Sequence, residues 1–375
     1  MNYPPDRFIA KDQISKKFEQ LVARHDFFSR TLVAIIDAIA SYRPGQVIVV
    51  PGCTGVGKTK LIKELDRVLQ DLIPKLPGEY APPIIFEARS PESNGEFSFK
   101  GFYADGLKAS NEPAIDCKFR GTKEQQELQE QKTIAKRDAL TIKRLREDFE
   151  NGVKHRNPIA ILIDEGQHIG KTCRSQFRRD YIDVMKGNSN QSGSPIIIFG
   201  TFDLIDVMFQ GGQNSRRQNV IEFPRYERTE QGIATVVGSL KSSVESMGYK
   251  LSETLLSEDC GFWIYDRTLG CVGILMDWAL RAIQSAASKN RSTVCLADLK
   301  ATPLSNKALA EILADIERYS RGLESEPPER YADSSAATAN EREFEAKRPN
   351  HGKNASNRKK PGQRNAANDP CPAAA

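Results

Sequence analysis

The sequence predicts an α/β fold: a parallel sheet flanked by helices, followed by a smaller helical region and a tail. Three observations predict it. A short apolar run, Val47–Val50, stops at Pro51–Gly52, passes through a glycine-rich loop to Thr59, and gives way to a helical pattern from Lys60. About a hundred residues further on, Ile159–Ile163 is apolar throughout and ends in the adjacent acids Asp164 and Glu165. A third run, Pro195–Thr201, ends in a hydroxyl. Strands without polar alternation are buried on both faces, as in a parallel sheet covered by helices.

The loop reads GCTGVGKT from Gly52 to Thr59, the G-x-x-x-x-G-K-[ST] spacing of a phosphate-binding loop. Gly52, Cys53, Thr54, Gly55, Val56 and Gly57 offer backbone amides to phosphate oxygens, with glycine where a side chain would block close approach. Lys58 supplies charge to the β/γ-phosphates, Thr59 offers a hydroxyl to magnesium, and the following helix directs its positive end at the anion. The bland alternative is a glycine-rich turn. Asp164 is placed to hold magnesium and Glu165 to orient or deprotonate the attacking water; otherwise the two acids cap the next helix. Thr201, at the carboxyl end of its strand, is positioned to reach the γ-phosphate or that water. Together these describe an α/β nucleoside-triphosphatase, a P-loop NTPase using ATP and Mg2+.

Composition bounds the rest. The chain has 375 residues and a formal net charge of +5, which permits nucleic acid but requires any DNA site to be a local patch. Its seven cysteines form no C-x-x-C pair, pointing to a reducing cytosol rather than a disulfide framework or zinc site. The N-terminus lacks a signal sequence, and no apolar run approaches the roughly 20 residues that span a bilayer. The expected location is cytoplasmic.

In chain order, residues 1–43 read as a helical lead-in and 44–227 as the ATPase core. The core includes an irregular insertion at 89–122, where aromatics (Phe97, Phe99, Phe102, Tyr103, Phe119) interleave with Lys100, Lys108, Lys118 and Arg120. Such interleaving serves nucleic acid, with Lys100, Lys118 and Arg120 as candidate DNA contacts, or anchors a loop-rich insertion. Lys123–Glu150 reads as a charged helix, His168 as structural or as support for a neighbouring site residue rather than a metal ligand, and Gly187–Ser194 as flexible. Residues 228–321 read as an all-helical lid, and 322–375 as a disordered tail with a basic stretch at His351–Arg364. The helical region after the sheet narrows the class to the AAA+ type.

The blocks GCTGVGKT, ILIDEGQHI, IIIFGT, NSRRQNVIEFPRY and TLGCVGIL, spread over roughly Tyr42–Arg281, resemble the TnsC/TniB family of AAA+ transposition regulators. The resemblance implies a P-loop NTPase AAA+ domain with a small C-terminal helical lid. It further implies Thr201 as first sensor, and Arg216 or Arg217 as a finger reaching a neighbouring subunit's γ-phosphate. The alternative for those arginines is salt bridging or DNA contact. The implied partners are double-stranded DNA, transposase subunits, a target-selection protein and further copies of the chain, as a ring or helical filament, with no membrane. One departure stands out: Gly270–Ile274 carries no arginine at the start of the lid helix, and the next base is Arg281. Slow turnover and an ATP-held assembly fit that departure. A nucleic-acid motor or helicase loader, or a signalling ATPase without DNA, are the competing readings.

Overall fold

The computed structural model describes residues 5–23, 25–91, 97–112, 134–170, 185, 187–191, 193–208 and 218–324. Two helices lead in, α1 (Pro5–Glu19) and α2 (Asp26–Ala40), and the sheet follows. Its strands are β1 (Val47–Pro51), β2 (Ile84–Glu87), β3 (Ile161–Asp164), β4 (Ile196–Gly200) and β5 (Gln218–Val220). All pairings are parallel and the order is β2-β3-β4-β1-β5. The loop-bearing strand β1 is thus separated from the acid-bearing strand β3 by β4. All three end at the same edge, where a parallel sheet places its functional groups.

Alternation sorts the strand side chains onto two faces. Ile48, Val50, Leu162, Ile197 and Phe199 pack with α2 and with α3 (Lys58–Leu72), whose Leu61, Leu65 and Leu69 are fully buried. Val47, Val49, Ile161, Ile163, Ile196 and Ile198 pack on the other face against α4 (Phe99–Ala109) and α5 (Ile134–Arg156). Between β4 and β5 lies the short α6 (Asp203–Met208).

The lid region comprises α7 (Glu230–Ser246), α8 (Glu258–Thr268), α9 (Val272–Ser288), α10 (Leu296–Ala301) and α11 (Asn306–Glu324). It is not all-helical. β6 (Lys250–Leu251) and β7 (Thr293–Val294) form a two-stranded parallel sheet. The region has its own core around Trp278, Leu240, Ile264 and Leu275, joined by Phe18 of α1.

Other expectations change on folding. Phe97, Phe102 and Tyr103, grouped with a loop-rich insertion, are buried around α4 and belong to the sheet's core. The polar stretch Gly187–Ser194, expected to be flexible, is helical at 187–191, with Asn188 and Ser189 buried. Distant tyrosines satisfy it: the Tyr42 hydroxyl is 2.6 Å from Ser189 Oγ, and the Tyr103 hydroxyl 3.4 Å from Asn188 Oδ1. Residues 113–133 and 171–184, and the tail beyond Glu324, lie outside the described residues. No helix among the described residues is long and apolar enough to cross a membrane.

His25 ties the lead-in to the sheet. Its Nδ1 accepts the N–H of Phe28, capping α2, and lies 3.0 Å from the Tyr226 hydroxyl, while its ring stacks on Phe223. Burial lowers its pKa to about 4, from 6.5. Between those two values the unfolded chain binds the extra proton and the folded chain does not, so stability falls as pH falls. The expected loss is about 2 kcal/mol between pH 7 and pH 5. Urea unfolding at both pH values should show this component vanish in His25→Asn, which retains a cap acceptor. An unchanged pH slope in that variant would contradict the assignment.

Candidate nucleotide site

Local rules explain why the loop after β1 adopts its shape. Gly57 sits at φ 114°, in the left-handed region open to glycine, and serves as the N-cap of α3. Lys58 is therefore the first residue of the helix, and it is buried. Its Nζ donates to the carbonyls of Gly52 and Cys53 at 2.9 and 3.0 Å, inside the loop's curve. Burial pulls this ammonium below its ordinary pKa, a cost that an anion in the loop would reverse.

Thr59 and Asp164 meet across the edge of the sheet, Oγ1 donating to Oδ2 at 2.9 Å. Asp164 Oδ1 accepts the backbone N–H of Glu165 at 2.8 Å, and Glu165 takes a left-handed backbone at φ 55°. That turn lifts its carboxylate out of the strand's register. Gln167 holds it there: Nε2 donates to Glu165 Oε2, and Oε1 accepts the N–H of Thr201 at 3.1 Å. His168 Nε2 lies 3.7 Å from the same Glu165 oxygen and 3.2 Å from Ser90 Oγ. The Thr201 hydroxyl is buried with no hydrogen-bond partner, although its residue lines the cavity.

The cavity holds about 470 Å³. Its lining joins Thr54–Lys60, Glu165, Gln167 and Thr201 to Leu21, Val22 and Phe28 of the lead-in and Val272, Met276 and Leu280 of α9. The oxygen donors at Thr59 and Asp164 suit magnesium, a hard cation.

The lid closes the loop from above through backbone. Ile274 N–H donates to the Gly55 carbonyl at 3.0 Å, and a Cβ on Gly273 would stand 2.3 Å from that same oxygen. Only glycine permits this approach. Arg225 fastens the opposite side, its Nη1 donating to the Tyr265 hydroxyl and to the carbonyls of Tyr226 and Leu269.

Of the residues proposed from sequence, the structure gathers Gly52–Thr59, Asp164, Glu165 and Thr201 at one sheet edge. Lys100 lies apart, exposed on α4. Arg216, Arg217, Lys118 and Arg120 fall outside the described residues. Sequence reasoning gave no role to Gln167, Gly273 or Arg225. Each stands in a block that carries the resemblance: Gln167 in ILIDEGQHI, Arg225 in NSRRQNVIEFPRY and Gly273 in TLGCVGIL.

Gln167→Ala should lower kcat for ATP hydrolysis about ten- to a hundredfold and leave KM nearly unchanged, because the residue touches Glu165 and Thr201 rather than the phosphate loop. A raised KM with normal kcat would contradict that placement.

Residues 42–208 match the family model described as AAA domain. Among solved structures, the chain is similar to the Aeropyrum pernix ORC2 protein in its ADP form, with TM-score 0.50 and 12% identity, over 79% of this chain and 72% of that one. It is also similar to the Aeropyrum pernix ORC1 protein in complex with DNA (TM-score 0.48, 16% identity, 80% and 68% covered). A third is Cdc6p from Pyrobaculum aerophilum (TM-score 0.45, 13% identity, 74% and 67% covered). No curated protein matches the sequence. The matched segment contains the phosphate loop, the paired acids and the strand that leads into Thr201. The fold is the AAA+ P-loop fold, and the chain is an ATP hydrolase that uses ATP with magnesium.

Proposed function

We propose that this ATPase is an ATP-gated scaffold. It assembles on double-stranded DNA, links a target-selection protein to a transposase in DNA transposition, and is dismantled by its own hydrolysis. The observation that carries the gating is the cation inventory of the site. Among the described residues that line the cavity there is no arginine. Arg281, the first base in α9, instead donates to the Thr302 carbonyl at 3.3 Å. Lys60, also at the cavity, donates to the Glu19 carbonyl. Among the described residues, that leaves Lys58 as the cation at the phosphates. A second one, Arg216 or Arg217 of a neighbouring copy, would complete the site and make the nucleotide a bond between subunits.

Within each site the roles follow from position. Lys58 binds the phosphates. Thr59 and Asp164 would hold magnesium, which supplies charge neutralisation at the phosphates. Glu165, steadied by Gln167, accepts the proton of the attacking water at its carboxylate. Thr201, with its uncommitted hydroxyl, orients that water or the terminal phosphate. The transposition role rests on the blocks that resemble those of TnsC/TniB regulators, among them the FPRY and GCVG segments that fasten loop and lid.

The test images the protein with duplex DNA and a non-hydrolysable ATP analogue. DNA-bound rings or filaments that fall apart on hydrolysis of ATP support the scaffold. ATP-driven translocation or strand displacement would replace it with a motor or loader, and assembly indifferent to DNA with a signalling ATPase. Charge reversal at Lys100, Lys118 and Arg120 should weaken DNA binding and flatten its salt dependence by roughly one unit of log–log slope per lost phosphate contact. Unchanged affinity would move the DNA face elsewhere.

A further inference from the structure

Two thiols meet where the phosphate loop touches the lid. Cys53 is the second residue of the loop and Cys271 the N-cap of α9; they are 218 positions apart, buried, and their sulfurs stand 3.2 Å from one another. The backbone around them is already joined, through the Ile274-to-Gly55 hydrogen bond. We propose that Cys53 and Cys271 form a thiol–disulfide modification site, oxidised by a hydroperoxide, that locks the lid turn onto the phosphate loop.

Disulfide formation asks the sulfurs to close by about 1 Å, to the usual bond length near 2.05 Å. The Cys53 thiolate attacks one peroxide oxygen, the O–O bond breaks, and the departing hydroxide takes a proton to leave as water, giving a sulfenic acid on Cys53. The Cys271 sulfur then attacks that sulfur. The S–O bond breaks, and hydroxide leaves with the Cys271 proton as a second water. Two thiols and one hydroperoxide thus give one disulfide, one water and one further water or alcohol, with two electrons passing from sulfur to oxygen.

The environment assigns the two roles. The hydrogen bond from Cys271, with the Lys58 charge nearby, holds the Cys53 thiol below its ordinary pKa, while that contact and burial push Cys271 up. Both sulfurs are sealed from solvent, so the oxidant reaches them only when the first turn of α9 lifts from the loop. The site therefore records lid opening. Bound nucleotide, which favours closure, protects it. The inference rests on the ATP site alone and is independent of any role on DNA.

Wild-type protein is treated with hydrogen peroxide, with and without a non-hydrolysable ATP analogue, then alkylated and mapped by mass spectrometry under non-reducing conditions. Release of a fluorescent ADP analogue is timed before and after. We expect a Cys53–Cys271 cross-linked peptide, suppressed by the analogue. Release should slow by about tenfold and recover with dithiothreitol, because the lid can no longer open. In Cys271→Ala, peroxide should leave release unchanged. The wild-type comparison with and without dithiothreitol is decisive even if that variant fails to fold. Oxidation of either residue without the cross-linked peptide, or the cross-link with unaltered release, overturns the proposal.

Discussion

Lys58→Ala is expected to lose nucleotide binding at concentrations that saturate the wild type and, with it, every nucleotide-dependent assembly. The ammonium is buried at the start of α3 and held by two loop carbonyls, so it faces any anion in the loop without competing solvent. Losing a desolvated, charge-assisted contact to phosphate costs on the order of 3 kcal/mol, about a hundredfold in affinity. Titration with a fluorescent ATP analogue measures it. Affinity close to wild type, or normal assembly, would remove Lys58 from the site.

Glu165→Gln should behave in the opposite sense. The side chain is isosteric, and Gln167 can still donate to its carbonyl oxygen, so binding is retained. The amide cannot accept the water's proton. Hydrolysis should fall by about two to four powers of ten, and assemblies formed with ATP should persist where wild-type ones decay. Single-turnover hydrolysis read beside light scattering separates the two effects. A dispersed monomer in saturating ATP would count against Glu165 as the hydrolytic residue.

The parts of the fold legible in sequence are those whose burial leaves a compositional mark. β1, β3 and β4 are apolar on both faces, and the phosphate loop needs glycines at fixed spacing, so each announced itself. Strand order did not: that β4 separates β1 from β3 depends on crossovers, and no local pattern encodes them. The aromatic-and-lysine pattern near Phe99 fits a DNA surface or an insertion anchored by its aromatics, because half of a helix is surface; its aromatic half is core. Asn188 and Ser189 read as a loop because their partners, Tyr103 and Tyr42, are remote in sequence. Gln167 went unassigned for a similar reason. Its function lies in joining Glu165 to the neighbouring strand, a relation visible only once β3 and β4 are side by side.

The close approach of Gly273 to Gly55 has a consequence for how such a protein can diverge. Where the lid meets the phosphate loop, the contact is written in main chain, and no substitution can adjust it by degrees. The far wall, at Leu21, Val22, Met276 and Leu280, is written in side chains. A substitution there reshapes the cavity by degrees, whereas any side chain at position 273 runs into the Gly55 carbonyl.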